Sequence, residues 1–110
     1  MYRLFFRDLE IGTVQRTGGD FPWHWGRFEP TFVPEESDLT RHIADYIQIS
    51  AKKYPLIEAE DFEPLHALEE QIAADFLDLI DTDDWRLVDG ADSWSITVPE
   101  FQEDQLIAWR

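Results

Sequence analysis

The run Asp20-Phe21-Pro22-Trp23-His24-Trp25-Gly26-Arg27-Phe28-Glu29-Pro30 concentrates more chemical character than any other stretch of the chain. Five of its eleven residues are Phe, Trp or His, and two prolines stiffen it. Such a set recognises rather than reacts. Rigid aromatic rings beside an arginine are the material of binding hot spots. They are equally the material that covers a sheet edge and completes a small core, because aromatics bury the most area per residue. Side chains alternate along an extended chain. Phe21, Trp23 and Trp25 then fall on one side, and His24 and Phe28 on the other. The candidate ligand- or partner-binding residues are Phe21, Trp23, His24, Trp25, Arg27 and Phe28.

The remaining chemistry is thin. With no cysteine there are no disulfides, thiolate metal sites or cysteine nucleophiles. His24, His42 and His66 lie far apart in sequence, and no metal site is assigned to them. The acidic stretch Asp75, Asp78, Asp81, Asp83, Asp84, Asp89, Asp92 invites a test for a calcium loop. Such a loop needs alternating oxygen donors, a glycine at its sharp turn and a glutamate at its end. Counted from Asp81, the third donor falls on Trp85, the glycine on Arg86 and the glutamate on Asp92. Counted from Asp83, the second donor falls on Trp85. Both registers fail, and a solvated acidic face is the better reading. Ser37, Ser50, Ser93 and Ser95 lie outside any Gly-x-Ser-x-Gly elbow. Gly18-Gly19 leads into Asp20-Phe21, not into the Lys-Ser/Thr of a phosphate-binding loop. No cofactor and no catalytic residue is expected, and an enzyme is the less favoured class.

The segments Asp20-Phe21-Pro22-Trp23 and Gly26-Arg27-Phe28-Glu29-Pro30 resemble an Asp-Phe-Pro-Trp-x-x-Gly-x-Phe-Glu-Pro element found in a family of short bacterial proteins of unknown function. The similarity covers about 30 residues well, and the ending Leu106–Arg110 has a like character. The resemblance implies a standalone bacterial domain and carries no catalytic residues with it.

The elements that must position these residues can be read from periodicity. Tyr2 to Asp8 is aromatic and apolar, and Leu9 to Thr17 carries Ile11, Thr13 and Val14; together they read as an antiparallel pair. Gly18-Gly19-Asp20 reads as a break. Phe21 to Pro34, with Pro22, Pro30 and Pro34, reads as an irregular extended segment or an edge strand, since proline cannot donate to a central ladder. Residues 38–53 read as a helix capped by Ser37 or Asp38, with Leu39, Ile43, Tyr46, Ile47 and Ser50 near a 3.6-residue period. Residues 62–80 read as a second helix with a stripe of Leu65, Leu68, Ile72, Phe76, Leu79 and Ile80. Trp85–Val88, Trp94–Val98 and Gln105–Trp109 read as strands, with a turn at Asp89-Gly90 and a polar connection over 100–104. The expectation is one α+β domain over 1–110. Its sheet is mixed or mainly antiparallel, in ββ–αα–βββ order, with two helices packed on one face.

Composition bounds the function. The 110 residues hold 24 Asp and Glu against 9 Lys and Arg, a net charge of −15. Aromatics make up 15% of the chain, too many for a disordered polyanion. Residues 1–54 hold 7 basic and 8 acidic residues, whereas 55–110 hold 2 and 16. Nucleic acid and anionic membranes are excluded as partners because no Lys/Arg stripe exists. The N-terminal apolar run is too short for a secretory segment, and no run approaches the ~20 apolar residues of a membrane span, so the cytoplasm is the expected location. The leading expectation is a non-enzymatic interaction module of inhibitor or immunity type that meets a basic protein partner. The alternative is a small-ligand or carbohydrate binder using the Trp-rich segment. A homodimer with the aromatics at its dyad is a third reading.

Overall fold

The computed structural model describes residues 1–110 and is α+β, with every strand pairing antiparallel. Three strands come first: β1 (Tyr2–Phe6), β2 (Leu9–Asp20) and β3 (Trp23–Pro30). A 3-10 turn at Pro34–Glu36 leads to α1 (Asp38–Glu58), α2 (Phe62–Asp75) and the single turn α3 (Leu77–Ile80). Then follow β4 (Trp85–Asp89), β5 (Asp92–Ser95), β6 (Glu100–Phe101) and β7 (Leu106–Trp109). The sheet order is β5-β4-β1-β2-β3-β7-β6.

Several expectations change. The segment after Gly18-Gly19 is neither irregular nor an edge: β3 sits in the sheet with β2 on one side and β7 on the other. Its prolines bracket the paired stretch, with Pro22 before the first residue and Pro30 at the last, so no inner ladder bond is lost. The two glycines do not end β2. The register instead shifts between Arg16 and Gly18, a bulge that lets the strand run on to Asp20. Gly26 is required by close approach, because a Cβ there would strike the Gln15 carbonyl oxygen of β2. The helix expected over 62–80 breaks at Phe76, whose backbone leaves the helical region (φ −126°, ψ 23°). The strand expected at 94–98 stops at Ser95, and the connection expected over 100–104 contributes the short strand β6.

One face of the sheet builds the core. Leu4, Phe6, Val14, Phe28, Trp85, Leu87, Ile107 and Trp109 are buried there with Ile43, Tyr46 and Ile49 of α1 and Ile72 of α2. The sheet is strongly curled. Strands β4 and β6 are five places apart, about 24 Å in a flat sheet, yet the rings of Trp85 and Phe101 lie 6.3 Å apart. The segment after β5 spans the gap, with the Ile96 N–H bonded to the Trp85 carbonyl and the Thr97 N–H to that of Arg110.

Helix α1 fills this trough. Ser37 and Thr40 form a reciprocal cap, each hydroxyl accepting the other's backbone N–H. Further along, Tyr46 Oη donates to the Pro99 carbonyl at 3.1 Å. Ser50 Oγ donates to the Phe101 carbonyl and accepts the Phe101 N–H, so one hydroxyl extends the ladder of β6 onto the helix. Trp85 closes the far end by donating its indole N–H to the Leu79 carbonyl at 2.7 Å.

Candidate functional site

The six aromatic-segment candidates do not form one surface. Phe28 is a core residue against Phe101, with ring centroids 5.1 Å apart. His24 is half-buried, stacked on Trp109 at 5.7 Å, and its Nδ1 accepts a hydrogen bond from Arg16 Nε at 3.0 Å. Trp25 and Arg27 are exposed on the uncovered face of the sheet. The Trp25 indole lies over Gly18, where any Cβ would meet the ring. Phe21 projects from the β2–β3 turn and is 96% exposed. Trp23 is half-buried beneath the Arg110 guanidinium, 5.0 Å from its ring centre. Strand alternation explains this dispersal. His24, Gly26 and Phe28 face the helices and Trp25 and Arg27 face away, as the strand period requires, while Trp23, at the first residue of the strand, departs from the pattern and borders the helices.

Of the six, Arg27 and Phe28 border only a small cavity of about 80 Å³, whereas Trp23 reaches a much larger one. A cleft of about 450 Å³ lies between the helices and the segment leading into β6, lined by Trp23, Lys53, Glu69, Ile72, Glu100 and Arg110 among others. Its charges balance, two cations against two carboxylates, and Lys53 Nζ stands 3.9 Å from Glu100 Oε1. Tyr46 lines the same cleft. Burial, reinforced by the Glu100 carboxylate and opposed by the Ser50 hydroxyl, pushes its phenol up to about 12.

The uncovered sheet face is mixed in charge. Phe5 has the guanidinium groups of Arg3 and Arg86 over its ring, 5.0 and 4.5 Å from the ring centre. Arg3 pairs with Glu10 and holds its carboxyl below the usual range, helped by the Thr31 hydroxyl. The Thr82 hydroxyl and Arg7 do the same for Asp84. No protein-family model matches this chain, and neither a curated protein nor a solved structure does.

The helical layer is different. Residues 34–84 hold 15 Asp and Glu against 3 Lys and Arg, a net of −12, while residues 1–33 hold four of each. The C-terminal strands, residues 85–110, hold 5 against 2. The excess therefore belongs mainly to α2, α3 and the turns that flank the helices, since α1 itself holds three acidic and three basic residues. At the corner where α1 meets α2, three large apolar side chains stand in solvent: Tyr54 (40% exposed), Ile57 (44%) and Phe62 (58%). Glu58, Glu60, Asp61 and Glu63 surround them in sequence, and all four are exposed. The available signal was four carboxylates within seven residues that also hold Ile57 and Phe62.

Proposed function

We propose that this chain is a non-enzymatic interaction module that docks through its acidic helical layer onto a basic protein, as an inhibitor or immunity-type protein does when it covers a basic active site such as that of a nuclease. The observation that supports this reading is the net −12 of the helical layer set against a neutral first sheet region. A one-sided field orients a basic partner during encounter and raises its association rate. Affinity capture from the source cell at low salt should recover a basic protein that high salt releases. Recovery of no basic protein at low salt refutes the reading.

The cleft supports a second reading. Trp23, an apolar wall at Ile72, and a balanced set of donors and acceptors from Lys53, Arg110, Glu69 and Glu100 suit a neutral polyhydroxylated ligand better than an ion. A glycan panel should then shift tryptophan fluorescence in the parent and not in Trp23→Ala. A flat response across the panel rejects it.

A further inference from the structure

The α1–α2 corner breaks two local rules within six residues. Pro55 lies inside α1, where it removes a helical N–H donor, yet the helix continues to Glu58. The chain then leaves the helix through a Schellman turn: the Asp61 N–H bonds the Leu56 carbonyl at 3.0 Å and the Glu60 N–H bonds that of Ile57 at 3.1 Å. The residue at the left-handed position of such a turn is usually glycine. Here it is Glu60, at φ +54°. A side chain is thus held in a conformation it disfavours, and it is a carboxylate beside exposed apolar groups. Strained residues of this kind gather at functional sites.

The turn also sets the geometry of the patch. Tyr54 and Ile57 are three apart on α1 and so share a face. The Asp61–Leu56 bond folds the chain back directly after them, which starts α2 with Phe62 at the same corner. Glu58, Glu60, Asp61 and Glu63 form no ion pair, although Arg3, Arg7 and Arg41 elsewhere do and Lys53, next to Tyr54, pairs with Glu100 of β6. An apolar centre with a charged, solvated rim is the anatomy of a binding patch.

We infer that Tyr54, Ile57 and Phe62 are the apolar anchor of the docking surface. Their occupant is a basic segment of a partner protein whose own apolar side chain is flanked by Lys or Arg, an amphipathic basic helix being the simplest case. This inference rests on the reading of the helical layer given above. Charge complementarity selects that occupant. A second copy of this chain would bring four more carboxylates to the same corner, and anionic lipid would be repelled. The other exposed large apolar residues do not form a like cluster on the helices: Phe21 projects from the β2–β3 turn, Trp25, Trp94 and Leu106 belong to strands, Met1 and Val33 lie outside the helices, and Leu77 is the one such residue of α3.

The test uses two synthetic peptides of equal length and charge, one a helical Leu/Lys repeat and the other a Ser/Lys repeat, titrated into the isotopically labelled chain. The Leu/Lys peptide should bind about tenfold more tightly, and its amide shifts should centre on residues 54–63. The double variant Ile57→Ser, Phe62→Ser should abolish that tenfold preference while retaining the binding of the Ser/Lys peptide. A native-like dispersed amide spectrum shows that the variant is folded, and Trp25→Ser, on the other face, should leave the preference unchanged. If the leucine preference survives the double variant, or the shifts centre elsewhere, the corner is not the anchor, although the acidic layer still binds cations. If neither peptide binds, the reading of the layer itself falls. Self-association of the parent that the double variant abolishes would assign the corner to a second copy and overturn the inference.

Discussion

Tyr46 ties the stability of this fold to pH on the alkaline side. Its phenol is buried under α1, donates to the Pro99 carbonyl, and has its ionisation pushed up to about 12 from an ordinary value of 10.0. The folded state therefore holds the Tyr46 proton where the unfolded chain has released it. A raised value contributes stability that is complete below pH 10 and is lost as pH climbs from 10 toward 12. The difference corresponds to roughly 2 to 3 kcal/mol, a sizeable part of the 5–15 kcal/mol expected for a whole domain. Urea midpoints of the parent and of Tyr46→Phe should be compared from pH 8 to pH 12. At pH 8 the variant should be weaker by about 1–2 kcal/mol, because the Pro99 carbonyl loses its buried donor. As pH rises the parent should lose stability and the variant much less, so the two curves converge and cross. The pairing within one series removes the contribution of lysine deprotonation, which both proteins share. Parallel curves would refute the reasoning, and so would a Tyr46 phenolate that forms near pH 10 with the fold intact.

Four further outcomes can be checked. Trp85→Phe leaves the Leu79 carbonyl without its buried donor and opens space beside Phe6, and should cost about 3 kcal/mol in a denaturant titration; a loss below 1 kcal/mol would show that the indole N–H does not close the sheet end. Glu60→Gly releases a left-handed side chain and should stabilise by about 0.5–1 kcal/mol after the greater freedom of unfolded glycine is subtracted; destabilisation would contradict the strain. Raising salt from about 0.01 M to about 0.15 M shortens the screening length from about 30 to about 8 Å and should raise the melting temperature, whereas an unchanged value would mean that the helical carboxylates do not repel one another. Glu10 should titrate below the ordinary carboxylate range, adding stability above that range that is lost as pH falls through its own lowered value; Arg3→Ala should move its NMR-detected titration upward, and no movement would remove Arg3 as the cause.

What could be read from the sequence depended on whether a signal was local. The Ser37 cap, the helix over 38–53 and the aromatic, apolar run of β1 are local, and the structure has them. The same three prolines that suggested an edge strand could not reveal that they flank a paired stretch, because the partner β7 lies some eighty residues away and its pairing is a tertiary fact. The Gly18-Gly19 pair is equally suited to a turn or a bulge, and only the length of β3 opposite it decides. Phe76 fits the helical stripe in sequence. In space it turns its ring onto His42 at 4.8 Å, while His42 Nε2 meets Asp78 Oδ1 at 2.9 Å, and this contact with α1 accompanies the break that separates α2 from α3. Among the six aromatic-segment candidates, strand alternation separated Phe28 and His24 from Trp25, as the structure has them. It could not say that Trp23 borders a cleft, since the other wall comes from α1, α2 and the segment before β6. The α1–α2 corner was illegible for a simpler reason: Tyr54, Ile57 and Phe62 have the residue types of core positions, and exposure is not a property of type.

The placement of charge separates two explanations for it. Solubility requires net charge of sufficient size and is indifferent to where the charge sits. A chain that needed only solubility would spread carboxylates over both faces, where their mutual repulsion is least. Here the first three strands are neutral and residues 34–84, the helices with the turns that join and flank them, carry −12. Three costs then fall on that one layer. Like charges crowd each other, Asp75 and Asp78 stand at the end of α2 and just beyond it, where a helix dipole prefers cations, and Glu60 takes a backbone conformation that glycine would hold without strain. None of the three improves solubility over an even distribution. Only Glu60 lies beside Tyr54, Ile57 and Phe62; Asp75 and Asp78 stand at the opposite end of α2. Solubility alone leaves this one-sided placement unexplained, and a basic partner docking on the acidic side, as proposed above, would account for it.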